Sequence, residues 1–274
     1  MRLFSDLAVE CKELDPSCTG VRERRETVNG IAVSRMEITS DEAAKKLGRE
    51  KGRYVTLMTG DLASCDRESV AEVLSSELSP FIPDGDAPVL VVGLGNRDIT
   101  PDALGPEAAA GVLATRHITA ELAERVGLTG LKSVAVLAPG VLGQTGMETA
   151  EIIESAVARI RPRAVLAIDA LTSRGTGHLC KTVQLSDAGI SPGSGVRNRR
   201  AEISRRTLGV PVTAIGVPTV VRLSSIMGSP DGDMIVTPKD IDSMIDMAAS
   251  VISLAVNAVL QPSIPADALR EYLG

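Results

Sequence analysis

PVLVVGLGNRDITPDALGP, residues 88–106, decides the fold. Its first half, PVLVVGLG, is a short unbroken apolar run ending in a glycine turn, which suits a strand buried on both faces of a sheet. Its second half sets Asp98, Asp102 and two prolines where a phosphate-cradling helix would begin. GLGN opens like a dinucleotide fingerprint, but the sixth position is Asp98, and a carboxylate there repels a pyrophosphate. A P-loop is excluded because the chain contains no Gly-Lys dipeptide.

Outward from this stretch, apolar runs alternate with helical patterns. PEAAAGVLATRHITAELAERV (106–126) predicts a helix, SVAVLAP (133–139) a strand, PGVLGQTGMET (139–149) a glycine loop and EIIESAVARI a helix. AVLAIDA (164–170) predicts a strand ending in the acid Asp169. KTVQLS and PVTAIGV read as strands, with the loop GISPGSG and a charged helix near 198–208 between them. TPKDIDSMIDMAASVISLAVNAVL predicts a long helix with Thr237 as N-cap and Pro238 at the first helical position. Such alternation is the mark of an α/β fold with a mostly parallel central sheet and helices on both faces. Upstream of residue 85 the signal weakens to strands at 28–39 and 53–58 and a helix near 66–80, read as an extra layer on one domain spanning 7–274. No internal repeat or low-complexity linker interrupts it.

The 274 residues are enough to bury a sizeable core, and with two Phe, two Tyr and no Trp that core must be aliphatic. A formal charge of −6 without a basic stripe argues against a nucleic-acid partner. RNRR at 197–200 and RRT at 205–207 read as a solvated helix face or an anchor for acidic peptide. No signal-peptide pattern and no run approaching the roughly 20 apolar residues of a membrane span is expected, so a cytoplasmic location without membrane is predicted. Cys11, Cys18, Cys65 and Cys180 form no CxxC pair and are read as reduced bystanders.

Several catalytic patterns fail. GISPG (189–193) matches a nucleophile elbow around Ser191, but Pro192 lacks the N–H that an oxyanion hole needs there. His117 and His178 are the only histidines, no HExxH occurs, and both read first as structural. What remains is a pair of carboxylates. In an open parallel sheet the crevice lies outside the carboxyl ends of the strands, where Asp102 follows the first strand and Asp169 ends a later one. Two crowded carboxyl groups share a proton, so that one acts as base toward water while the other stays protonated. The competing reading makes Asp169 a helix cap and Asp102 a turn residue, and spacing alone leaves both open. Asp98 and Asp187 are weaker candidates of the same type.

VVGLGNRDITPDALGP, PGVLGQTGMET, AIDAL, QLSDAGISPGSGVRNRR, LGVPVTAIGVPTVV and MIVTPKDID, in that order, resemble the germination protease family of spore-forming bacteria. The resemblance implies an atypical aspartic endopeptidase that degrades small acid-soluble spore proteins in the spore core. It also implies synthesis as an inactive precursor, a homotetramer and no cofactor, and it assigns the two acids to Asp102 and Asp169. It implies a fold similar to the hydrogenase maturation proteases, whose corresponding acids bind a metal with a histidine. An alternative is therefore a metallopeptidase with Asp102, Asp169 and His178 as ligands, and another is a scaffold without catalysis. FSDLAVE (4–10) matches the sequence such enzymes cut in themselves and in substrates, which predicts cleavage between Asp6 and Leu7 and a propeptide of residues 1–6. Arg197, Arg199 and Arg200 are candidates to receive a substrate glutamate. Between PTVV and MIVTP the chain is shorter than the longer family members, which carry a large insertion there.

Overall fold

All five residues of the run Val89–Gly93 are buried, as a strand with neighbours on both edges and helices on both faces requires. The computed structural model describes residues 5–125, 128–192, 201–227, 234–265 and 267–269. The strands are β1 (Val21–Val28), β2 (Ile31–Ile38), β3 (Gly52–Met58), β4 (Val89–Gly93), β5 (Val134–Leu137), β6 (Ala164–Ser173), β7 (Thr182–Ser186), β8 (Val212–Arg222) and β9 (Ile235–Val236). Among the described residues they form one nine-stranded sheet in the order β1-β2-β3-β7-β8-β6-β4-β5, with β9 paired to β8.

The parallel part of that sheet is the block β5, β4, β6 and β8. Strands β7, β3, β2 and β1 continue it antiparallel. The region upstream of residue 85 is thus a wing of the same sheet, where an extra layer on the same domain was expected. Its weak sequence signal has a physical cause, since β1 is exposed over most of its length and VRERRETV carries charges on both faces. Unpaired edge strands carry such charges to discourage further pairing.

The helices are α1 (Ala8–Leu14), α2 (Asp41–Leu47), α3 (Arg67–Leu78), α4 (Leu104–Ala110), α5 (Ala120–Arg125), α6 (Leu142–Thr145), α7 (Thr149–Ile160), α8 (Arg205–Leu208), α9 (Leu223–Met227) and α10 (Ile241–Leu260). Side chains alternate along β4 and β6. Val89, Val91, Leu166 and Ile168 join α3, α4 and α10 in one core. Leu90, Val92, Val165 and Ala167 meet Ile153 and Val157 of α7 on the other face.

Two helix expectations change. The helix foreseen over 106–126 stops at Ala110 and resumes at Ala120. The cause is buried Asn257 of α10, whose Oδ1 accepts from Leu113 N–H at 2.9 Å and whose Nδ2 donates to Gly111 C=O at 2.9 Å. Those groups are taken away from helix continuation. Asn257→Leu should therefore strand both of them in the core and cost about 2–4 kcal/mol. Thermal denaturation should fall by roughly 5–15 °C, and an unchanged midpoint would mean that the interruption has another cause. The last helix begins at Ile241 because Thr237 does not cap it. Its Oγ1 instead donates to Thr219 C=O at 2.8 Å. Helix α10 is long and apolar enough by composition to match a membrane span, but 61% of its apolar window is buried inside the protein, as the core helix beneath α3 and α4.

Candidate functional site

Three glycines let the start of α4 sit on the ends of β4 and β6. A Cβ on Gly93 would lie 2.2 Å from Gly105 O, and one on Gly105 would lie 2.1 Å from Leu94 O and 2.5 Å from Ile168 O. Gly95, at φ +116°, would bring a Cβ within 2.0 Å of Asp102 O. No larger residue permits these approaches. Between the glycines, Leu94 N–H donates to Ile168 C=O of β6 at 2.8 Å, extending the β4–β6 ladder past Gly93.

The loop then returns on itself. Asn96 N–H donates to Asp102 Oδ2 at 2.8 Å and is also 3.1 Å from Asp102 O. Asp102 ends a 3-10 turn, Thr100–Asp102, that packs against β6 and β8. Buried Thr219 of β8 anchors the turn by donating to Pro101 C=O at 2.7 Å. Asp102 itself is half-buried.

Asp169 is 4% exposed and its Oδ1 accepts from Ala170 N–H at 2.9 Å. It was expected to end its strand, but β6 runs on to Ser173 because β8 pairs with it beyond that point, Asp169 standing opposite Gly216. Strand β4 stops at Gly93, opposite Ile168, so Asp169 is the first β6 residue past the end of β4. By alternation it leaves β6 on the same face as Val165 and Ala167, the face that α7 covers. Both sequence-chosen acids therefore belong to elements in contact at the carboxyl end of the parallel block. Of the two carboxyl groups, that of Asp169 is buried and that of Asp102 is half-buried.

The other candidates separate from this locus. His117 is exposed in the turn between α4 and α5, outside the helix foreseen for it. His178 precedes β7, with Nε2 3.6 Å from Glu13 Oε2 of α1. Among the described residues no three His, Cys, Asp or Glu side chains converge as a metal would need, so Asp102, Asp169 and His178 do not fit a ligand set. Asp187 is held by Arg53 through its main-chain N–H and Nε, both at 2.7 Å, which gives it a structural role. Arg197, Arg199 and Arg200 lie outside the described residues. The four cysteines are free, burial pushes the Cys11 thiol up, and it pushes Cys180 to about 12, which keeps both protonated and poor nucleophiles.

The segment expected to be cut is bound into the body. Asp6 N–H donates to Thr172 C=O at 2.8 Å, and Thr172 N–H donates to Asp6 Oδ2 at 2.9 Å, three residues along β6 from Asp169. Gln184 Nε2 donates to Asp6 C=O at 3.0 Å while its Oε1 accepts from Ala8 N–H at 2.8 Å. Arg49 lies 3.7 Å from the Asp6 carboxylate. Leu7 is fully buried against Val9 and Leu171, and α1 starts at the next residue.

Sequence reasoning passed over Asn96 and Gln144. Gln144 was within a block read only as a glycine loop, yet its Nε2 donates to Asn96 Oδ1 at 2.7 Å and to Asp98 Oδ2 at 3.0 Å.

A family profile described as germination protease matches residues 4–231. The chain is 37% identical to a germination protease of Caldanaerobacter subterraneus over 98% of this chain and 97% of that protein. It is 44% identical to one of Priestia megaterium over 81% of this chain and 64% of that protein. With one of Clostridium acetobutylicum, 34% identical, the alignment extends over 322 positions, more than this chain's 274 residues. A solved [NiFe] hydrogenase maturation protease, HycI from Thermococcus kodakarensis KOD1, aligns with 69% of this chain and 98% of its own at 16% identity and a TM-score of 0.41.

Proposed function

The chain belongs to the germination protease family, and from that premise we propose that it cleaves small acid-soluble spore proteins during germination by carboxylate-activated water. The carrying observation is that close glycine approaches seat the Asp102 turn against β6, the strand of Asp169. One carboxyl group accepts the proton of a water as it attacks the peptide carbonyl. The other donates its proton to the carbonyl oxygen as the tetrahedral diol forms. The proton taken from water then passes to the departing amine, and a hydroxyl of the diol returns its proton to the ionised acid as the C–N bond breaks and the new carboxyl group forms. No covalent intermediate is required.

Ile99, Leu142 and Met147 are 54%, 43% and 48% exposed on the two loops that Gln144 bridges. They offer apolar surface to the leucine of an Asp-Leu-Ala segment in an unfolded substrate. A net charge of −6 gives no long-range attraction to acidic substrates, so recognition rests on the local sequence. The reading includes a cytoplasmic site of action in the spore core and a homotetramer, on family grounds, and Arg197, Arg199 and Arg200 as contacts for a substrate glutamate.

Self-processing belongs to the same reading. Hydrolysis between Asp6 and Leu7 requires Asp6 to leave Thr172, Gln184 and Arg49 first, because a protease acts on extended, accessible chain. On this reading the docked segment is the form before cleavage, and its release precedes the cut.

The test is intact mass of the chain, together with fragment masses of an added small acid-soluble spore protein, with and without chelator. Loss of residues 1–6 and chelator-indifferent cleavage of the spore protein are expected. Activity abolished by chelator and restored by a divalent metal would replace this mechanism with a metallopeptidase one. An uncut chain beside an uncut spore protein would favour a scaffold.

A further inference from the structure

We propose that Gln144 is a positioning residue for proteolysis, acting on the Asp102 carboxylate through Asn96. The inference rests on Asp102 being a catalytic acid. It starts from a link between two loops 48 residues apart in sequence, in which one carboxamide donates to Asn96 Oδ1 at 2.7 Å and to Asp98 Oδ2 at 3.0 Å. Asn96 is the residue whose main-chain N–H meets Asp102 Oδ2 at 2.8 Å.

Each end of the link is itself held. Gln144 Oε1 accepts from Val141 N–H at 3.3 Å, which orients the carboxamide so that its NH2 faces the other loop. Gly140, at φ +74°, leaves the space for this, since a Cβ there would lie 2.9 Å from Gln144 Oε1. On the far side, Asn96 Oδ1 also accepts from Asp98 N–H at 3.0 Å, closing an Asx turn that sets the direction of the Asn96 peptide. The loop after β5 therefore sets the orientation of Asn96, and the Asn96 N–H sets one oxygen of Asp102.

The link is exposed and lies outside the hydrophobic core, so it adds little to global stability. Its effect is on geometry. Without the Gln144 donors, Asn96 and Asp98 are tied only to their own loop, and the carboxylate loses a fixed direction toward the water. Misplacement of a reacting group by about 1 Å costs up to about a hundredfold in rate. A clamp that loosens rather than removes the group should cost about tenfold.

Gln144→Met keeps the length and removes both donors, whereas Gln144→Lys keeps a donor in reach of Asn96 and Asp98. Steady-state kinetics on a denatured small acid-soluble spore protein, with thermal midpoints and Asp102→Asn as reference, test the proposal. The expected result is a kcat about tenfold lower for Gln144→Met at a KM within about twofold. The midpoint should stay unchanged, and kcat should largely recover in Gln144→Lys. An unaltered kcat in Gln144→Met overturns the proposal. So does a raised KM at constant kcat, which would make Gln144 a substrate contact, and so does equal impairment of the Met and Lys variants. Retained activity in Asp102→Asn would instead remove the catalytic reading beneath it, whatever Gln144 does.

Discussion

Asp169→Asn is expected to melt where the wild type does and to cleave its protein substrate at least about 10³-fold more slowly, a loss of the size seen when a group that handles the reacting proton is removed. The side chain is 4% exposed, in a strand that β8 still pairs at this position, so its replacement must be isosteric to leave packing intact. Asparagine supplies an Oδ1 that still accepts the Ala170 N–H, whose bond to Asp169 is 2.9 Å long. What it removes is the ability to give or take a proton. Asp102→Asn is the matching case, because an amide oxygen can still accept the 2.8 Å bond from Asn96 N–H. Single-turnover cleavage followed by fragment mass, beside a melting curve, checks both. Rates within about tenfold of wild type would remove the carboxylate pair from the mechanism. A slow enzyme with a lowered midpoint would make Asp169 structural.

Gly105→Ala has the opposite signature, with stability and activity falling together. Glycine lies inside α4, where alanine is the better helix former by about 1 kcal/mol. Propensity loses here, because the new Cβ would stand 2.1 Å from Leu94 O, 2.5 Å from Ile168 O and 2.5 Å from Leu94 N. All three are main-chain atoms of β4's extension and β6, which no rotamer change can move. Relief requires α4 to retreat from the sheet, at a cost of about 3 kcal/mol or more, and the retreat carries the Asp102 turn away from β6. A melting midpoint lower by roughly 6–12 °C is expected, with cleavage lost in proportion. Gly143→Ala is the control, since Gly143 also lies in a helix but has nothing within 4 Å of the position of its Cβ. It should melt at the wild-type temperature or slightly above. A Gly105→Ala protein as stable as wild type would show that α4 does not seat the Asp102 loop through this contact.

Much of the parallel block was legible from residue pattern alone. PVLVVG and AVLAID declare buried strands because a strand covered on both faces needs an apolar side chain at every position. The place of Asp102 after the first strand of the block followed from strand order, whereas Asp169 was read as a strand end and lies inside β6, which β8 carries on to Ser173. The antiparallel wing was harder to read, because the charges along VRERRETV erase the alternation that marks a half-buried strand. The interruption of the 106–126 helix was invisible, since its cause is Asn257 on another helix, 144 and 146 residues away.

The sequence by itself determined which segments must be buried, where chains can turn, and that Asp102 follows a buried strand, because those properties follow from spacing within a few residues. Only the tertiary structure decided that Asp169 lies within a strand outlasting its neighbour, that Gln144 reaches Asn96, and that Asp6 is docked on Thr172. Contacts joining residues 48 and 166 positions apart leave no local period to read. They exist because glycine-sized gaps and strand pairing bring distant main chains within hydrogen-bond reach.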